Sequence, residues 1–150
     1  MTDMRLKYVE SLMRQNYEAV GFLPLSVVAK YLEANQLWLQ YENDEPCGYL
    51  LFGNGWPICR VFQCCIQTDA RRRSAASTLI QALVSKAENS GYNAITLRCA
   101  DDLESNNFWR AAGFSFTGQS QGGKSRGRLI NHWQLALRGS TQPDLFWGST

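Results

Sequence analysis

The sequence lacks both a long hydrophobic run and a large excess of charge of either sign. Its longest apolar stretches, such as residues 48–52, have the length of a strand and fall well short of the ~20 residues that a membrane helix needs. The net charge of +2 is too small to indicate a nucleic-acid partner by itself. The first residues contain no apolar segment of the secretory type. We therefore expect a cytoplasmic protein with no membrane partner.

Disulfide and metal-binding patterns are also missing. The chain has five cysteines, an odd number, and only one histidine, and no two cysteines have CxxC spacing. A zinc site would need paired ligand spacing of that kind. The cysteines all lie in apolar, strand-like segments, at positions Cys47, Cys59, Cys64, Cys65 and Cys99. We expect reduced thiols that serve as small core residues, and no metal cofactor.

The first third of the chain predicts two helices. Apolar residues recur at helical spacing over residues 3–19, and Gly21 ends that pattern. A second, short helix is predicted over residues 27–34, with Ser26 as its N-cap.

Strands and helices follow in an order that defines the fold class. Strands are predicted over residues 36–41, 47–52, 58–66, 94–99, 114–119 and 129–137, and helices over residues 74–90 and 103–112. Asn54-Gly55 is predicted to form the hairpin turn before the third strand, because both residues tolerate positive φ.

The order strand, crossover helix, strand implies one parallel pair in an otherwise antiparallel sheet. We predict a mixed α/β (α+β) architecture, with helices on both faces of a mostly antiparallel twisted sheet. A chain of 150 residues, 45% of them hydrophobic, is sufficient for one compact domain. We assign residues 1–137 to that domain and residues 138–150 to a C-terminal tail.

The junction between the third strand and the following helix is the most informative segment. A basic loop, Arg71-Arg72-Arg73, leads into a helix that starts on small residues. The first turn of a helix has unpaired N–H groups and the positive end of the helix dipole, and small side chains let an anion approach them. The junction predicts a phosphate cradle. The alternative is a solvated basic loop before an ordinary helix.

Two motifs in this chain resemble those of the GNAT acetyltransferase superfamily. The family carries an R/Q-x-x-G-x-G/A signature at a strand–loop–helix junction, and residues 71–76 align with it. The family also carries an asparagine-containing helix that ends in an aromatic pair and a Gly-Phe step, which residues 106–114 match. Each motif is short, but their order and spacing resemble the family over about residues 4–137.

The resemblance implies an N-acetyltransferase that moves an acetyl group from acetyl-CoA to the amine of an unidentified small molecule or protein. It implies direct attack in a ternary complex, with the pantetheine arm along the end of the third strand, and a monomer or homodimer. The implied cofactor-binding residues are Cys64, Ile66, Arg71, Arg72, Arg73, Ser74, Ala75, Ala76, Ser77, Asn106 and Trp109.

The chain departs from the family pattern at three positions. Ser74 stands where the first glycine is usual, and Asp102 stands at the usual asparagine position. Trp109 replaces a tyrosine that protonates the leaving thiolate in many members, and an indole cannot supply that proton. No general base transfers by motif. The two candidates are Glu104 and His132.

Two other functions remain open from the sequence. A GNAT-fold enzyme that modifies a nucleobase or RNA is suggested by the basic loop at residues 122–128, although a solvated hairpin loop is the simpler interpretation. A non-catalytic CoA-binding module is the other, because no catalytic acid and base are evident.

Overall fold

The computed structural model of the chain describes residues 3–68, 72–122 and 128–137. The predicted tail, Arg71 and residues 123–127 of the basic loop lie outside these ranges. The helices are α1 (Met4–Gln15), α2 (Tyr17–Val20), α3 (Leu25–Glu33), α4 (Arg72–Asn89) and α5 (Ser105–Ala111). The strands are β1 (Leu37–Glu42), β2 (Glu45–Gly55), β3 (Ile58–Ile66), β4 (Ala94–Ala100), β5 (Ser115–Gln121) and β6 (Leu129–Ala136).

The six strands belong to one sheet with the order β1-β2-β3-β4-β6-β5. It contains one parallel pair, whose strands are connected by α4, and the remaining neighbours are antiparallel. The predicted mixed α/β class is therefore confirmed. By internal packing the chain divides into a first unit, Met1–Gly53 with Val61–Gln81, and a second unit, Asn54–Arg60 with Ala82–Thr150.

The core of the first unit forms between the N-terminal helices and the first three strands. Apolar residues recur along α1 with helical spacing, so one stripe of that helix is buried. The buried cluster comprises Val9, Leu12, Met13, Val28, Leu37, Tyr49, Leu51 and Cys65. Together these side chains hold α1 and α3 against the sheet.

The predicted first helix is wrong in one respect, because it is interrupted at Asn16. The Asn16 side-chain amide donates to the carbonyl oxygen of Leu12 at 2.9 Å, and its backbone leaves the helical region with a φ of −128°. Asparagine side chains compete with helical backbone bonding in this way. The segment therefore forms two helices, α1 and α2, and ends at Gly21, where φ is +81°.

The predicted N-cap of the next helix is also wrong. α3 begins at Leu25, with Pro24 in an extended conformation at the N-cap position, and Ser26 lies inside the first turn. The backbone N–H groups of Val27 and Val28 donate to the carbonyl oxygen of Pro24 at 2.9 and 3.1 Å. The fixed φ of proline preorganises this start without a side-chain cap.

The two hairpins use different turns. Asn43 and Asp44 connect β1 to β2 with φ values of +53° and +67°, as a type I′ turn requires. The turn predicted at Asn54-Gly55 is wrong, because β2 continues through Gly55 and Trp56-Pro57 forms the connection to β3. Strand pairing therefore overrides the local turn preference of Asn-Gly.

A buried polar side chain fixes the end of α2 to the sheet within the first unit. Gln63 on β3 is only 4% exposed. Its carbonyl oxygen accepts from the Tyr49 hydroxyl at 2.8 Å, and its amide donates to the carbonyl oxygen of Val20 at 2.9 Å. An unpaired amide at this depth would be costly, so these bonds specify where the chain leaves α2.

The second unit contains β4, β6 and β5 as an antiparallel group, with β6 in the middle. Leu97 and Cys99 of β4 lie opposite Trp133 and Asn131 of β6, and this face is buried and contacts α5. The residues between them point to the other face, since side chains alternate along a strand. The strand alternation thus separates a packed face from a polar one.

Gly48 of β2 faces the end of β3 so closely that a side chain cannot be accommodated. A Cβ at Gly48 would lie 2.8 Å from the carbonyl oxygen of Cys65 and would also overlap with Ile66. We expect Gly48→Ala to lower the free energy of unfolding by about 1–3 kcal/mol, because backbone atoms must move. Urea unfolding measures this change.

Glu45→Ala is the control, because Glu45 is exposed on the same strand. It should change stability by less than about 0.5 kcal/mol. A Gly48→Ala variant as stable as the parent would show that β2 and β3 separate there without cost.

Candidate active site

The end of β3 is held in place by its neighbours in the first unit. Gln67, directly after the strand, donates its backbone N–H to the carbonyl oxygen of Cys47 at 2.8 Å. Its side-chain carbonyl accepts from the Tyr8 hydroxyl of α1 at 2.9 Å. With Gly48 closely packed against Cys65 and Ile66, the end of β3 has a defined position from which the chain enters the predicted cradle.

The cradle residues occupy the first turns of α4, as the sequence predicts. Ala75 and Ala76 point into the protein and are 3% and 8% exposed, whereas Ser74 is exposed and Ser77 is half-buried. The Thr78 hydroxyl donates to the carbonyl oxygen of Ser74 at 3.0 Å, which stabilises the turn. Small side chains thus surround the helix terminus.

The donors at this terminus suit an anion. The first N–H groups of an α-helix have no partner within the helix and carry its positive dipole end. α4 has 18 residues, and no acidic residue lies in its first turn to compete for these donors. Arg72 and Arg73 belong to that turn, although only their backbone is described. The arrangement fits the phosphates of a CoA-type cofactor.

Cys64 and Cys65 have thiols that stay protonated near neutral pH. Cys65 is buried, and desolvation raises its pKa to about 12. Cys64 retains some exposure as a residue, but desolvation of its thiol, and less strongly the neighbouring Cys65, raises its pKa to about 12. None of the five cysteines forms a disulfide, and four are buried, as expected for core residues.

Asn106 organises the interior of the second unit. Its amide nitrogen donates to the carbonyl oxygens of Ala100 and Leu103, both at 2.8 Å. Its amide oxygen accepts from the Asn131 side chain at 3.0 Å and from the Trp133 indole at 2.9 Å. Both ends of this 8% exposed amide are therefore engaged by the protein, and its predicted contact with the cofactor stays a prediction.

Trp109 packs as an aromatic core residue. It is 6% exposed, and its ring lies edge-on to Phe108 at 5.0 Å and to Phe114 at 5.3 Å, measured between centroids. The Gly-Phe step of the second motif thus supplies a packing partner, because Gly113, with a φ of +99°, turns the chain back. A cofactor contact by Trp109 also stays a prediction.

Asp102, at the family's asparagine position, forms an ion pair that the sequence did not indicate. Its carboxylate accepts from two nitrogens of Arg128, at 3.0 and 3.2 Å. Nearby, the N–H of Asp101 donates to the carbonyl oxygen of Leu129 at 2.8 Å. Together these bonds join the loop after β4 to the start of β6, across 26 residues of sequence.

The two candidate bases have different surroundings. His132 is half-buried on β6, and its Nε2 atom lies 2.8 Å from the hydroxyl oxygen of Ser120 on β5. Glu104 is exposed at the N-cap position of α5, where its side chain makes no capping bond. Sequence reasoning missed Ser120, since only strand pairing brings it to His132.

Two features are absent from the residues that the structure describes. No group of three or more His, Cys, Asp or Glu side chains in the described ranges is placed to hold a metal ion. No helix within those ranges is long and apolar enough to span a membrane.

The sequence profile of the acetyltransferase (GNAT) domain matches residues 12–126 of the chain. Because this match extends over well more than half of the sequence, the chain belongs to the GNAT acetyltransferase family. The resemblance predicted from the two motifs is thus confirmed. Among curated proteins, no sequence matches the chain.

Solved structures share the same fold. Ard1 from Thermoplasma volcanium superposes with a TM-score of 0.80 at 12% identity, covering 92% of this chain and 95% of its own. The ribosomal-protein-alanine N-acetyltransferase from Brucella melitensis gives 0.75 at 14% identity, with coverages of 91% and 97%. The aminoglycoside 6′-N-acetyltransferase from Enterococcus faecium gives 0.73 at 12%, with coverages of 89% and 91%. At such identities the similarity shows the fold alone.

The raised thiol pKa values predict that Cys64 and Cys65, at the end of β3, react slowly with thiol reagents. With a pKa of about 12, only about one Cys64 thiol in 10⁴ is ionised at pH 8, and the thiolate is the reactive form. We expect native protein to react slowly with a disulfide reagent at pH 8, and all five thiols to react rapidly in guanidinium chloride. The Cys64→Ser variant identifies the contribution of Cys64. Rapid native labelling of Cys64 at pH 8 would contradict the assignment.

The Asn106 network predicts a large stability effect. Asn106→Ala leaves buried donors and acceptors on Ala100, Leu103, Asn131 and Trp133 without their partner, so we expect a loss of about 2–3 kcal/mol in chemical unfolding.

Asn107→Ala provides a matched control, since Asn107 is the exposed neighbour on the same helix. It should remain within about 0.5 kcal/mol of the parent. Equal losses of stability in the two variants would mean that the hydrogen bonds of Asn106 do not stabilise the fold.

Proposed function

We propose that this chain is an N-acetyltransferase that transfers an acetyl group from acetyl-CoA to an amine by direct attack in a ternary complex. The observation that carries the proposal is the first turn of α4, whose N–H groups have no partner within the helix and lie among small side chains, in a chain of the GNAT family. We propose that residues 1–137 act as one catalytic domain and that no metal takes part.

The cradle is proposed to bind the phosphates of the cofactor. The N–H groups around residues 74–77 supply the main contacts, because Ser74 is exposed and leaves the helix terminus open. Arg71, Arg72 and Arg73 add positive charge next to this terminus. The end of β3, residues 64–66, is proposed to bind the pantetheine arm, with its backbone N–H groups polarising the thioester carbonyl.

When bound, acetyl-CoA supplies an activated acyl group. The acceptor nitrogen forms a bond to the acyl carbon and loses one proton to the base. The carbon–sulfur bond breaks, and the thiolate takes up one proton from water as CoA leaves as a thiol. Cys64 is not proposed as a nucleophile, because burial keeps its thiol protonated. Trp109 is proposed as a packing residue, since its indole cannot serve as an acid.

His132 is the general base that the geometry favours. Its Nε2 atom is paired with the Ser120 hydroxyl, so the ring is held in one orientation, as a base requires. Glu104 is exposed and makes no capping bond that would fix its carboxylate.

The acceptor is an amine whose identity is proposed only by class. The neighbours named above act on a ribosomal protein's alanine and on aminoglycosides, so both protein and small-molecule amines are candidates.

The cradle is tested by changing one exposed residue on α4. Ser74→Phe places a large side chain over the helix terminus, and we expect it to weaken CoA binding about tenfold or more, measured by calorimetry and by thermal shift. Ser74→Gly, which restores the usual family residue, should bind at least as tightly as the parent.

Gln81→Phe is the matched control, because Gln81 is exposed two turns further along the same helix. It should bind CoA like the parent. Failure of the parent to bind CoA at millimolar concentration would contradict the proposed function, and equal binding by Ser74→Phe would contradict the site.

A further inference from the structure

An arginine side chain is exposed in the middle of the sheet, within the second unit. Arg98 lies on β4, which is an interior strand, yet its side chain is exposed. Within the described residues, no hydrogen bond or ion pair engages its guanidinium group. A charged group at this place is unusual unless the face is open to water or to a ligand.

The residues next to Arg98 on this face are polar. Arg98 is directly opposite His132 in the β4–β6 register, so their Cβ atoms are about 5 Å apart. His132 is paired in turn with Ser120 at 2.8 Å. Thr96 and Gln134, the next opposite pair on the same face, are both half-buried.

Among the residues that the structure describes, none fills the space beside His132. Gly118 of β5 is its partner in the register, and a Cβ at Gly118 would have no other described atom within 4 Å. A glycine at this position therefore leaves room over the ring. The opposite face has no such room, since Asn131 and Trp133 are buried there against α5.

The charge of this face selects the ligand. Among the described residues of β4, β5 and β6, Arg98 is the only one with a permanent charge. The two aspartates of the loop after β4 have other partners: Asp102 pairs with Arg128, and Asp101 accepts from Gln119. A single guanidinium matches a carboxylate through two parallel hydrogen bonds. A phosphate dianion would call for a second cation.

We infer that Arg98 binds the carboxylate of the acceptor, and that the acceptor is an amine with a carboxylate a few bonds away, as in an amino acid. This inference rests on the proposed function, because it takes His132 as the base. Arg98 and His132 are adjacent across the strands, so an amine held at His132 has its carboxylate within reach of Arg98. Ser120 acts as a positioning residue for His132.

Carboxylate binding can be measured without any turnover. His132 is the only histidine, so its imidazole signals in a carbon–proton NMR spectrum are unique. We expect acetate to shift these signals in a saturable way, beyond the response to chloride at equal ionic strength. Arg98→Gln should weaken this acetate response about tenfold or more. Arg110→Gln, which removes an exposed arginine on the opposite face, where its guanidinium lies over the Trp133 ring, should leave it unchanged.

Three outcomes of this titration would overturn the inference. They are an equal acetate response in Arg98→Gln, a parent response no larger than that to chloride, and a stronger response to inorganic phosphate than to acetate. Circular dichroism confirms that the variants are folded.

A turnover assay then tests the acceptor class with matched pairs, an amino acid and its carboxamide. For amino acids, Arg98→Gln should raise KM about tenfold or more with a smaller change in kcat. For the carboxamides, the parent and the variant should have the same KM and kcat. A preference of the parent for carboxamides would overturn the inference. CoA binding reports separately on the proposed function: if CoA binds while Arg98→Gln has no effect, only this inference fails.

Discussion

The structure depends on the requirement that polar groups removed from water keep hydrogen-bond partners. In the first unit, Gln63 satisfies this requirement by bonding the Tyr49 hydroxyl and the Val20 carbonyl. These two bonds set where the chain leaves α2. In the second unit, Asn106 satisfies the same requirement by bonding the carbonyl oxygens of Ala100 and Leu103 and two side chains of β6. Among the described residues, no buried side-chain nitrogen or oxygen lacks a partner.

The same requirement explains how this chain tolerates its departures from the family pattern. With aspartate at position 102, the loop after β4 is joined to β6 through Arg128, and the adjacent Asn106 fixes the inner side of that loop. Trp109 fills the interior with an aromatic ring instead of presenting an ionisable hydroxyl. Catalysis, as proposed, therefore relies on positioning and on a base, with no acid at position 109.

The proposals concern an anion-binding helix terminus in the first unit and a polar sheet face in the second, and each follows from a distinct physical cause. As proposed, the terminus of α4 binds phosphate groups through backbone donors, which depend little on particular side chains. The face with Arg98 and His132 is proposed to act through side chains, and it would therefore distinguish one acceptor from another.

Local patterns in the sequence predicted most of the fold. The bounds of β3 agree with those predicted, and those of β1, β4, β6 and α4 agree to within two residues, because hydrophobic periodicity and end signals such as Gly91 act over a few neighbours. The family was likewise predictable, since both motifs are continuous in sequence, and the residues proposed as the cradle lie at the start of α4.

The remaining features depend on tertiary contacts. Strand pairing moved the second hairpin turn from Asn54-Gly55 to Trp56-Pro57, against the local preference. The bond from Gln63 to Val20 joins residues 43 positions apart. The Ser120 hydroxyl comes within 2.8 Å of His132 only because β5 and β6 pair in this register. The exposure of Arg98 depends on whether another part of the fold covers β4. A sequence by itself determines which residues can form such contacts, but only the folded sheet decides which of them meet, because strand register is set by the packing of the whole face.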